Sequence, residues 1–229
     1  MLGAETLAKW RVRTRRARRQ ARALTSSAFV RLASLEAAFP EMECVDHPLG
    51  QRTIATPELN RWPLLRSAEH LQGGAYETPM WRMGVIERGL YCTTNNVLMN
   101  RQHVVVEESI NSIRSKERLV AKALNQKPCD RIGGYATVLR SVSNGFYHTL
   151  ASNLPRLYAL HFEPFNALSV KLLVPGVLSE LERFLLGRLL APNVEVVPVG
   201  EGRVYEVDNL LFLPFLNRQF MGYLPEEYI

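Results

Sequence analysis

The stretch from Leu168 to Val199 most constrains what this chain can fold into. Leu168 to Val174 is an apolar run whose only charge is Lys171, the pattern of a strand buried on both faces of a parallel sheet. Pro175 and Gly176 end the run. Ser179 and Glu182 then stand in capping-box spacing, where the hydroxyl meets the N3 amide and the carboxylate reaches back to the cap amide. They open a helix that reaches Leu190, and Val194 to Val199 is a second strand. Strand, helix and strand within about 30 residues form a βαβ unit, which closes onto a parallel sheet. This predicts an α/β domain of Rossmann type. Gly200-Glu201-Gly202 turns the chain into two more short strands, Arg203–Val207 and Asn209–Leu213.

Upstream, residues 81–108 read as a β-meander. Its runs are Trp81–Ile86, Leu90–Leu98 and His103–Glu107. Turns are expected at Glu87-Arg88-Gly89 and Asn100-Arg101-Gln102, and Asn95-Asn96 marks a bulge or a tighter turn. Tyr135–Val142 is a further strand, with Gly133-Gly134 before it as a plain turn. Residues 109–125 suit a helix with Ser109 as its N-cap. Residues 40–80 are broken by Pro40, Pro48, Pro57, Pro63 and Pro79, and Gly73-Gly74 reads as a turn, so loops with short elements are expected there. Residues 4–39 read as one helix. Arg11, Arg15, Arg18 and Arg22 share a face, Phe29, Leu32, Leu35 and Phe39 make an apolar stripe, and Phe39-Pro40 ends it.

Charge sits at one end. Residues 1–22 hold eight basic side chains against Glu5, a net of +7, while the whole chain of 229 residues carries +6. The rest therefore sums to −1. This divides the chain into a basic helical arm, residues 1–40, and a near-neutral body, residues 41–229. The arm, through residues 9–22, can dock to nucleic acid, anionic lipid or an acidic partner, or can simply be a solvated helix face. A nucleic-acid-binding body would carry a basic face of its own, so that class is disfavoured. Cys44, Cys92 and Cys129 lie far apart with no CxxC spacing, against a zinc module or a dense disulfide framework. No signal peptide and no membrane-spanning run is read, which points to a cytoplasmic protein, peripheral to a membrane at most.

Familiar catalytic motifs are missing. Gly133-Gly134 and Gly200-Glu201-Gly202 do not form GxGxxG, no GxSxG occurs, and His47, His70, His103 and His161 stand singly. The segment Ser143 to Leu157 is different. Ser143 or Asn144 can cap a helix running to about Phe162, with Tyr147, Leu150, Leu154, Leu157 and Tyr158 as its buried stripe. His148 falls in the first turn, where the positive end of the helix dipole favours the neutral imidazole. A neutral histidine at the mouth of an α/β sheet can act as a base, and it can equally be a structural histidine. Pro155 would fall mid-helix, at a cost of about 3 kcal/mol in an ordinary helix.

Asn144-Gly145-Phe146-Tyr147-His148, followed by Leu154-Pro155-Arg156-Leu157, resembles the signature of glycosyltransferase family 61. The strands before it, the βαβ unit after it and the passage Tyr205 to Pro214 are collinear with that family over about residues 80–225. The resemblance implies the N-terminal, acceptor-side half of a GT-B enzyme: a Rossmann-like domain preceded by a β-meander and an N-terminal helix. It implies transfer with inversion from a nucleotide-sugar, as co-substrate, to a hydroxyl of a carbohydrate or glycoconjugate acceptor, with no cofactor and no metal. His148 would be the base or position the acceptor. Asn144 would cap the helix or bond substrate, Tyr147 would flank the site, and Arg156 would brace the inter-domain face or pair with an anion. Ser152 stands where the family has its acid, and Thr149 where it has tryptophan. No stretch matches the glycine-rich His-Gly-Ala passage of the family's donor-side half, so a chain inactive by itself is expected. The alternative is a non-enzymatic α/β module that docks to an anionic partner through its arm.

Overall fold

The computed structural model describes residues 32–42, 44–46, 53–58, 72–77, 82–94, 96–109, 128–140, 146 and 149–214, with the backbone alone at 53–58 and 72–77. The fold is α/β with a mixed sheet, many strands and few helices. The strands are β1 (Leu32–Ala33), β2 (Cys44–Asp46), β3 (Thr53–Glu58), β4 (Gln72–Glu77), β5 (Arg82–Cys92), β6 (Val97–Met99), β7 (Val105–Val106), β8 (Pro128–Val138), β9 (Val170–Pro175), β10 (Val194–Val199) and β11 (Val204–Phe212). The α-helices are α1 (Leu35–Ala38) and α2 (Glu180–Leu189). The main sheet runs β1-β7-β6-β5-β11-β8-β9-β10, with β2 also on β5, and β3 and β4 pair separately. Strands β11, β8, β9 and β10 are mutually parallel, and β5 is antiparallel to β11, β6 and β2.

The βαβ unit forms as its sequence predicts. In β9, Val170, Leu172 and Val174 face one core and Leu173 the other, and all four are at most 1% exposed. Burying each such side chain is worth roughly 1.5–3 kcal/mol. The capping box of α2 is present, with Ser179 Oγ accepting from the Glu182 amide at 3.2 Å. The first core lies under α2 and the turns at 149–167, and the second under α1 and the β5–β7 strands.

One connection dictates the shape of the sheet. Val199, at the end of β10, lies level with Pro175 at the carboxyl edge, whereas Val204, at the start of β11, lies level with Pro128 at the opposite edge. In a flat sheet, three strand spacings of about 4.8 Å and some nine residues of about 3.3 Å would part them by more than roughly 30 Å. The link Gly200–Arg203 spans at most about 19 Å, five Cα–Cα steps of about 3.8 Å. The sheet is therefore strongly coiled, so that the foot of β11 meets the head of β10. Thr93 clasps the junction: its amide donates to the Arg203 carbonyl at 2.8 Å, its hydroxyl donates to Gly200 O at 2.9 Å and accepts from the Arg203 amide at 2.9 Å.

The bend falls along one line across three strands, and it corrects several expectations. Glu87-Arg88-Gly89 is not a turn: β5 runs through it, with Arg88 at φ 51°. A Cβ on Gly89 would lie 2.8 Å from Leu210 Cδ2 and 2.9 Å from Ile86 Cγ2, so the crossing of β5 and β11 admits only glycine. Gly133-Gly134 is likewise inside β8, where one extra residue makes a bulge opposite Val207–Asn209, and Gly134 takes φ 78°. The bulge's backbone is satisfied by side chains: Asp208 accepts from the Gly134 amide, and Lys171 Nζ donates to Gly133 O at 2.9 Å. Lys171, the lone charge of an apolar strand, is there to serve the bulge.

Other differences have local causes. Arg203–Val207 and Asn209–Leu213 are one strand, because β11 pairs along its length with β5. Gly73-Gly74 lies within β4 and not at a turn. Within the span expected to be helical up to Phe39, Leu32–Ala33 is a strand that pairs with Val105–Val106, and a helix begins after Ser34, whose hydroxyl accepts from the Ala37 amide at 3.2 Å. The helix expected to Phe162 is a π-turn, Thr149–Asn153, followed by a 3₁₀ helix, Pro155–His161. Pro155 thereby takes a first helical position, where its missing N–H costs nothing. Residues 1–31 of the arm, and residues 110–125 of the helix expected at 109–125, lie outside the described residues. No helix among the described residues is long and apolar enough to cross a membrane.

Two substitutions test the coil. Thr93→Val keeps the shape and removes the hydroxyl partner of Gly200 and Arg203; a loss of about 1–3 kcal/mol is expected by urea denaturation. Gly89→Ala overpacks the crossing and should cost about 1–3 kcal/mol, whereas Gly133→Ala, whose Cβ would find Asp208 at 3.7 Å, should be near neutral by the same measurement.

Candidate functional site

The chain advances from β8 to β9 to β10 on one side and then returns to β11 on the other side of β8. At such a reversal the carboxyl ends of neighbouring parallel strands diverge, and the crevice outside them is where open α/β sheets take ligands. Here that edge comprises Val138–Arg140 after β8 and Phe212–Leu213 at the end of β11.

Arg140 fixes this edge. It is buried, and its guanidinium makes a bidentate pair with Glu182: Nε to Oε1 at 3.0 Å and Nη2 to Oε2 at 2.9 Å. Nη1 also donates to Pro175 O and Nη2 to Val177 O, each at 2.7 Å. Glu182, itself fully buried, accepts from the amide and the hydroxyl of Ser179 at 2.8 and 2.9 Å. Burial pushes the Glu182 carboxyl up, but the Arg140 and Ser179 hydrogen bonds outweigh it and hold the group below its ordinary value. The carboxylate thus occupies the N-terminus of α2, where the helix dipole favours a negative charge. That position is filled by the chain itself and is not open to a substrate phosphate.

Arg156 is the second buried guanidinium. Its Nη2 donates to the carbonyl of Val138, and burial lowers its pKa to about 10, so it stays charged at neutral pH. Beside it a cavity of about 10 Å³ lies against Ser109, Thr137 and Leu211, room for one water at most. Thr137 Oγ1 donates to Leu211 O at 3.0 Å, tying β8 to β11 at this level. Ser109 bridges the meander: its hydroxyl accepts from the Leu98 amide at 3.1 Å and donates to Val106 O at 2.6 Å.

Of the residues singled out from the sequence, Arg156 and Ser152 are described, and both are buried. Ser152 sits in the π-turn, flanked by buried Thr149 and Asn153. Asn144, Tyr147 and His148 lie outside the described residues, as does the basic segment 9–22. Phe146 is 70% exposed. The segment holding the three runs between Arg140 and Thr149, so it leaves the sheet at the carboxyl end of β8. Leu154 and Leu157 are buried as the stripe predicts. Arg140 and its pairing with Glu182 were not foreseen; the one signal was a lone charge in an otherwise apolar strand. Among the described residues no three His, Cys, Asp or Glu side chains converge as metal ligands. No family model, curated protein or solved structure matches this chain.

Two variants separate the pair's charge from its shape. Arg140→Ala leaves the Glu182 carboxylate buried without its guanidinium and should cost about 3–5 kcal/mol in chemical denaturation. Because the folded pKa of Glu182 is depressed, its contribution is complete above the unfolded value of about 4.3 and is lost as pH falls through the lower folded value. Glu182→Gln should therefore flatten the acid limb of the stability-against-pH curve.

Proposed function

We propose that this chain is the acceptor-side part of an inverting glycosyltransferase of family 61 type, and that its fold is the Rossmann-like half of a GT-B enzyme. The observation that carries the reading is the position of the Asn144–His148 segment in the chain, directly after the carboxyl end of β8 and beside the reversal between β8 and β11. Its order of parallel strands, β10-β9-β8-β11, is the 3-2-1-4 order of a Rossmann-type half. The return from β10 to β11 departs from that pattern, with a four-residue link, Gly200–Arg203, in place of a crossover helix.

In this reading His148 takes the proton from the acceptor hydroxyl as the oxygen attacks the anomeric carbon and the nucleotide leaves from the opposite face. A general base contributes about 10²–10⁴-fold. Asn144 bonds the acceptor, and Tyr147 flanks it. Arg156 acts from below, by holding the 3₁₀ helix against Val138 at the foot of the segment. Ser152, buried at the family's acid position, supplies no charge. The donor is a nucleotide-sugar.

Acceptor binding tests this without a donor. The full chain should bind members of an oligosaccharide panel in NMR titration, and His148→Ala and Asn144→Ala should each weaken binding about tenfold or more, 1.4 kcal/mol, with an unchanged melting temperature. Binding of no oligosaccharide, or binding indifferent to both substitutions, would leave the docking module as the better reading; heparin retention that vanishes on deleting residues 1–22 would be its mark.

A further inference from the structure

We infer that the chain carries a second recognition site, a slot for a short extended peptide at an open edge of the central strand β5. One edge of β5 is paired along its length by β11, from Gly84 to Cys92. The other edge is shared by β2, which reaches Gly84, and β6, which begins at Leu90. Val85 to Gly89 lie between them, and no described residue pairs with that edge. Backbone N–H and C=O groups of a central strand are strong hydrogen-bonding groups that are nearly always satisfied. A bare row of them is a template for another strand.

The gap is also a cavity. It measures about 560 Å³, within the usual range for ligand sites. Its walls come from both faces of the sheet: Phe165 and Val85 belong to the first core, Ile86 and Phe39 to the second. The space therefore lies between the two faces of the sheet, at an edge where no strand is found among the described residues. A strand has that shape, since its backbone lies in the sheet plane and its successive side chains enter opposite faces. The occupant runs antiparallel to β5, because both flanking strands do. It presents apolar side chains to the two walls. Among the described lining residues, exposed Glu41 and Glu87 outnumber Arg101, so a basic residue is favoured. Strand addition of this kind takes affinity from main-chain hydrogen bonds and selectivity from side-chain pockets. The slot rests on its own geometry and does not depend on the glycosyltransferase reading.

The test uses the full chain with capped tetrapeptides, acetyl-Val-Lys-Val-Val-amide as probe, its glutamate counterpart, and a backbone N-methylated form. In the free chain, amides of Val85–Glu87 that face the gap should exchange with deuterium faster than those bonded to β11. The lysine peptide should protect them, bind at least about tenfold tighter than the N-methylated form, and lose its advantage over the glutamate peptide in Glu87→Lys, a surface substitution that leaves the fold intact. Slow exchange of every one of these amides in the free chain, no binding by either peptide, or equal binding of the N-methylated form would overturn the inference; the last would make the cavity a plain apolar pocket.

Discussion

The shape of this protein depends on how short the chain is between β10 and β11. Four residues cannot cross a flat parallel sheet from its carboxyl edge to its amino edge, so the sheet has to coil until the two edges meet. The rest of the architecture serves that coil. Glycine at 89 lets β5 and β11 approach, the β8 bulge at Gly133-Gly134 adds bend, and Thr93 closes the seam. The bulge would be costly if its freed backbone groups went unpaired, and Asp208 and Lys171 prevent that. Arg131, which donates to Asp208 at 2.6 Å, adds an exposed ion pair, which solvent and salt screen. Its role is to orient the carboxylate toward Gly134.

Two buried arginines set the carboxyl edge of β8. Arg140 uses four of the five N–H donors of a guanidinium, on a carboxylate in bidentate geometry and on two carbonyls. Such a pair contributes little net stability against a hydrophobic replacement, but it defines geometry, because breaking it strands a buried charge. It locks together the end of β8, the turn after β9 and the first turn of α2. Arg156 does the same from the other side, joining the 3₁₀ helix to Val138.

Local patterns were legible in the sequence where the chain's own neighbours satisfy it. The capping box, β10 and the apolar β9 are all set within a few residues, and they appear as expected. Glycine pairs misled, since Gly73-Gly74, Gly133-Gly134 and Gly89 have the composition of turns but sit in strands. At Gly89 the reason is close approach and at Gly133-Gly134 a bulge, each involving residues distant in sequence. Lys171 and Arg140 gave the opposite lesson. A lone charge in an apolar strand carries the information that a partner exists, but not which one, and Glu182 is 42 residues from Arg140. Pro155 looked like strain only because one long helix was assumed. Two short helical pieces place it at a helix start, where it costs nothing.

The coil also explains why, among the described residues, the second edge of β5 is paired only towards its two ends. β2 pairs with one end of the strand and β6 with the other, and the kink at Arg88-Gly89 falls between. A single long strand covering that edge would have to bend where β5 bends, and it would need its own glycine or bulge to do so. The chain instead uses two short strands, one on each arm of the bent sheet. What remains open is the stretch beginning at Val85, on the straight part before the kink, where a segment of a few residues can pair without bending. The constraint that shapes the fold therefore also creates the opening, and limits anything that fills it to a short strand.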